Sequence, residues 1–202
     1  MKRCAMSRPA SAAHEAGHVV VIAVTAGLEL GDFTWRRLAE YEISYARPRE
    51  RARGDWEDAA SRNALIARQA AVALAGGAAE RLSAGGDDAP GVDAIHRQAG
   101  KVDFELAHEW LTLQRYDPDQ RTLEREIARL YGAVSDVVRR HSHVVAHVAA
   151  RILARLRLAD AEMARSLSFP ASELVDGLGL VAESVDFTLD ATLMRHVERR
   201  TA

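Results

Sequence analysis

The chain has one cysteine, Cys4, in 202 residues. It can form no internal disulfide and no thiolate-based zinc site, so any metal must be held by His, Asp or Glu. Lysine is nearly as scarce: of 27 basic residues, only Lys2 and Lys101 are lysines. A phosphate-binding P-loop needs Gly-Lys followed by Ser or Thr. Here the one Gly-Lys pair, Gly100-Lys101, is followed by Val102, which leaves no recognisable P-loop. An excess of one charge is also lacking. The 27 basic and 29 acidic residues give a net charge of −2, which argues against nucleic-acid binding by bulk charge. The best apolar run, Val19 to Val24, falls far short of the roughly 20 residues of a membrane span. Met1 to Ala10 carries basic residues with no apolar run behind them, so no signal peptide is read and the cytoplasm is the expected compartment.

What is present points to a folded domain. The apolar fraction of 48% excludes a disordered chain, and the length fits one domain with or without a tail. Helix signals dominate. Ser7-Arg8-Pro9 offers a cap and an early proline for a helix over about 9–25, with Gly27 beyond it. Asp32 to Trp35 and Tyr41 to Tyr45 are aromatic and β-branched, and predict a small β-hairpin over about 31–46. Asp55 caps an expected helix over 56–83. Further helices are expected over 103–114, 117–140 and 141–156, with a short one opened by Asp160 and reaching Leu167. The tail from Ser168 holds Pro170, Gly177 and Gly179, and a last helix is expected near 189–199. The expected fold is mainly α, with a domain over 1–167 and a C-terminal extension over 168–202.

One motif carries specific chemistry: His14-Glu15-Ala16-Gly17-His18, an HExxH pattern inside the first helix. At 3.6 residues per turn, His14 and His18 lie one above the other on one face, so two imidazoles converge on one zinc ion. Glu15 is turned about 100° away, beside the metal rather than on it. There it serves as general base toward a water whose pKa zinc lowers to about 7. A merely structural site would have no use for that carboxylate, so its presence favours catalysis. Zinc needs a third protein ligand from a later element. From the residues alone the candidates are Glu80, Asp87, Asp88, Asp93, Asp103 and His108.

Three segments extend the pattern. His14 to Val20 resembles the opening of the peptidase domain of FtsH-type ATP-dependent zinc proteases. Leu74-Ala75-Gly76-Gly77-Ala78-Ala79-Glu80 is similar to that family's Gly-Gly-x-x-Ala-Glu helix. Gly100-Lys101-Val102-Asp103-Phe104-Glu105-Leu106-Ala107 is similar to its Gly-x-x-Asp-x-x-x-Ala segment. The helices over 138–167 resemble the family's C-terminal helices. The resemblance implies a helical zinc-peptidase fold with His14, His18 and Asp103 as ligands and Glu15 as base. A carboxylate in a helix's first turn is also held ionised by the helix dipole, as a ligand must be. The connection from Glu80 to Asp103 is longer than the family's and contains Asp93, the alternative third ligand. Glu80 is a candidate hydrogen-bond partner that orients a zinc-bound His.

The resemblance further implies a zinc-dependent endopeptidase acting on peptide or unfolded protein. The family's ATPase and membrane parts have no counterpart in this sequence, so a separate ATPase or adaptor is an expected partner. Relatives form rings of six, which makes a homo-oligomer compatible with the reading. The strand about Tyr41 to Tyr45 could accept a peptide as an added strand. The alternative is a non-catalytic metal-binding or interaction module descended from such a peptidase. A third reading is an all-α interaction protein with a fortuitous motif. His143 and His147, four apart and near His141, have no glutamate between them and read as ordinary histidines rather than a second metal site. Trp35, Trp56 and Trp110 read as core or interface anchors.

Overall fold

The computed structural model describes residues 7–38, 42–49, 59–86, 101–112, 120–182 and 187. In chain order the elements are α1 (Arg8–Val24), β1 (Leu30–Arg37), β2 (Glu42–Pro48), α2 (Ala59–Ser83), α3 (Lys101–Thr112), α4 (Gln120–Arg140), α5 (Ser142–Ala161), β3 (Ser166–Pro170) and the single turn α6 (Ser172–Val175). The described chain is mainly helical with one small antiparallel sheet, in agreement with the expected class. Asp55, Trp56, Asp87, Asp88, Asp93 and the expected helix near 189–199 lie outside the described residues. No helix among the described residues is long and apolar enough to cross a membrane.

Helix α1 starts where its cap dictates. The Ser7 hydroxyl accepts from the Ala10 N–H at 3.4 Å, and Pro9 sits in the first turn, where its missing N–H costs nothing. The helix ends at Thr25, which turns extended. Ala12 to Ile22 are all buried, and a helix covered on every side belongs to the core. It packs on α2, α5 and β2. The HExxH motif is therefore in the middle of the molecule.

The sheet has the order β2-β1-β3, so β2 is an edge strand. The hairpin forms as its alternation requires. Phe33, Trp35 and Ala46 face inward and are buried, while Asp32, Arg36 and Arg47 are exposed. The third strand corrects the expected short helix from Asp160 to Leu167. Asp160 instead lies inside α5, which continues to Ala161, and Ser166–Pro170 pairs with β1 through Thr34↔Ser168 and Phe33↔Phe169. Phe169 is buried, its ring 5.2 Å from that of Phe33. The boundary expected between 167 and 168 falls inside β3. Asp160 does not open a helix because its oxygens accept from Arg8 and Arg37. With Glu42, which bonds both arginines, it ties the start of α1, the hairpin and the end of α5 together.

Candidate metal centre

His14 and His18 face each other on α1, with ring centroids 4.9 Å apart. Their Nε2 atoms are 3.2 Å apart. Helix α3 brings Asp103, in its first turn, to the same point. Its Oδ2 is 2.7 Å from His14 Nε2 and 3.5 Å from His18 Nε2. Ligands about 2.0–2.2 Å from a tetrahedral ion stand roughly 3.4 Å apart, close to the 3.2 and 3.5 Å separations, while the 2.7 Å His14–Asp103 contact is a hydrogen bond that an ion would have to open. Among the described residues, His14, His18 and Asp103 are the group of three that could hold a metal. Glu80 reaches the other side of His14, its Oε2 3.5 Å from Nδ1, and His108 lies exposed on α3. His143 and His147 lie exposed on α5.

The backbone orients one of the two histidines. His18 Nδ1–H donates to the Val72 carbonyl at 2.8 Å. That bond fixes the tautomer and leaves the Nε2 lone pair aimed into the site. Helix α2 closes the floor. A Cβ on Gly76 would lie 2.4 Å from His14 Nε2 and 2.5 Å from His18 Nε2. Gly76 thus leaves open the space beside both ligand nitrogens. Gly17 does the same for the helix crossing, since its Cβ would meet the Ala75 carbonyl oxygen at 2.4 Å. The donor set, the fixed His18 tautomer and the space at Gly76 together fit a bound metal ion.

Charge is balanced across the site. Burial pulls His14 down, but its hydrogen bond to Asp103 and the neighbouring Glu80 outweigh it and push the imidazole up to about 10. Burial raises Asp103, and the two histidines more than reverse this, holding it below the ordinary carboxylate range. Glu15 is buried and pushed up by desolvation, with the two histidines acting against that rise.

Glu15 has partners that the motif does not reveal. The Ser44 hydroxyl donates to Oε1 at 3.1 Å and the Ala46 N–H donates to Oε2 at 2.9 Å, both from β2. The carboxylate therefore anchors the edge strand to α1. This corrects the expectation that a structural site has no use for Glu15. Sequence reasoning also missed Ser44, Ala46 and the Val72 carbonyl, which leave no signature in the motif. Gly76 does leave one: two glycines inside a helical pattern cost about 1 kcal/mol each against alanine and call for a packing reason.

The site belongs to a mainly helical chain with a His-His-Asp cluster whose two histidines are buried and whose Asp103 is partly exposed. No protein-family model matches this chain, and no curated protein matches it.

Proposed function

We propose that the chain is a zinc metallopeptidase, an endopeptidase on unfolded polypeptide with the FtsH-type peptidase arrangement. The observation that supports it is the convergence of His14, His18 and Asp103, from two helices far apart in sequence, around a space that Gly76 leaves open. His14, His18 and Asp103 would hold zinc, with Glu80 beside His14. Zinc bound there would acidify a water molecule and polarise the scissile carbonyl. Glu15 would serve as the general base, accepting a proton from the attacking water and returning it to the leaving amine, help typically worth about 10²–10⁴ in rate. An extended substrate would lie along β2, the edge of the sheet, before Ala46, whose N–H is already bonded to Glu15. The cytoplasm, a separate ATPase or adaptor and a homo-oligomer belong to the same reading.

A second reading is a metal-binding module without catalysis. It is favoured by the engagement of both Glu15 oxygens by β2. One experiment separates the two. Zinc-loaded wild type is expected to degrade casein, while Glu15→Gln retains about one zinc per chain and loses at least about 100-fold in rate. Zinc binding without cleavage by wild type would favour the module, and failure to bind zinc would sink both readings.

A further inference from the structure

We propose that Ser44 is a positioning residue that aims the Glu15 carboxylate, with Ser11 setting the Ser44 hydroxyl in turn. This rests on Glu15 acting as the base. The hydrogen-bond directions follow from proton counting. A carboxylate only accepts, so the single Ser44 hydroxyl proton goes to Glu15 Oε1 at 3.1 Å. The Ser44 oxygen, 3.3 Å from Ser11 Oγ, must then accept from Ser11. Ser11 lies one turn before Glu15 on α1. The relay thus leaves α1, crosses β2 and returns to the next turn of the same helix.

The second donor makes the geometry specific. Ser44 and Ala46 are two apart on β2 and supply two different donors, a side-chain hydroxyl and a backbone N–H. The Ser44 hydroxyl meets one Glu15 oxygen and the Ala46 N–H meets the other. Two donors on one rigid strand fix both the place and the tilt of the carboxylate. With one donor removed, the carboxylate pivots about the remaining bond to Ala46. Misplacement by about 1 Å costs on the order of 100-fold in a step that depends on orientation. Ser44 pairs with Trp35 and faces α1, so its side chain does not line the strand's outer edge. Its loss should therefore act on kcat rather than KM.

The test uses the zinc-loaded full chain. Ser44→Ala is expected to lower kcat for casein cleavage by about 10- to 100-fold with KM within about twofold. Ser44→Thr, which keeps the hydroxyl, should restore most of it. Ser11→Ala should give a smaller loss in the same direction, and it keeps the test open if Ser44→Ala folds poorly. A second readout is independent of turnover. Acetohydroxamate chelates zinc and passes a proton to a neighbouring carboxylate, so its affinity by calorimetry should fall in Glu15→Gln and, by at least about threefold, in Ser44→Ala. Unchanged kcat and unchanged acetohydroxamate affinity in Ser44→Ala would overturn the positioning role. So would a kcat loss that Thr does not rescue and that tracks a fall in melting temperature. Wild type that binds acetohydroxamate in a Ser44-dependent way yet cleaves nothing would uphold the positioning role and defeat the peptidase reading instead.

Discussion

Gly76 and Gly77 are adjacent on one helix and should respond in opposite ways to the same substitution. A Cβ at Gly76 would stand 2.4–2.6 Å from ring atoms of His14 and His18, whereas a Cβ at Gly77 meets nothing within 4 Å. The histidines have little freedom to yield, because His18 is tied to Val72 and both rings are buried. Gly76→Ala should therefore abolish stoichiometric zinc binding, as measured by titration against a chromophoric chelator. Gly77→Ala should bind zinc as wild type does. It should also raise unfolding stability by about 0.5–1 kcal/mol, since alanine fits a helix interior better than glycine. Retained zinc binding in Gly76→Ala would show that the ion does not use the space against α2.

Helix α3 is the element whose behaviour should depend most on the metal. Helix α1 is buried along nearly its whole length and packs on α2, α5 and β2, whereas α3 packs chiefly on α2 and keeps Val102, Leu106 and His108 exposed. Asp103 is its link to the histidines of α1. Zinc would tie the two helices directly, so hydrogen exchange over 101–112 should slow markedly on loading. Exchange in α1, whose burial should confine its opening to global unfolding, should shift by no more than the overall stabilisation. Equal protection changes in both helices would contradict this. The same contrast between local and distant interactions explains what could be read from the sequence. The cap and proline of α1, the alternation of β1 and β2 and the first-turn Asp103 are local signals, and all three fall where expected. Strand β3 is five residues long and exists through pairing with β1, more than 120 residues earlier, which no local period records. Asp160 has the chemistry of a helix cap, but distant arginines take its oxygens. Glu15 was legible as a neighbour of the His14–His18 pair and illegible as the anchor of β2, because its donors come from another element.

The stability of the whole molecule against pH follows from these same groups, and metal should reshape it. On the acid side, Arg8 and Arg37 hold Asp160 down at about 2, and Arg8 lowers Glu42; the histidines lower Asp103 against its burial. A carboxyl whose folded value is depressed contributes stability above its unfolded value, and that contribution is lost as pH falls through the folded one. The metal-free chain should therefore weaken below about pH 4, and the loaded chain should also lose its zinc stabilisation on acidification, because protons compete for the same ligands. On the alkaline side the controlling group is His14. Its folded value is raised to about 10 against an ordinary 6.5, so its contribution is complete below 6.5 and disappears as pH rises through 10. Burial raises Glu15 too, and a raised carboxyl loses its contribution as pH climbs past its ordinary value of 4.5. In the metal-free chain, melting temperature should thus decline steadily from about pH 7 toward 10. Zinc bound at His14 would take the place of its proton, so the loaded chain should keep its melting temperature across that interval. Loading at pH 7.5 should release about one proton, because a metal ligand must be deprotonated. Calorimetric zinc titrations in buffers of different ionisation enthalpy measure that number directly. A slope near zero, with the alkaline decline unchanged by zinc, would mean that the metal does not bind at His14.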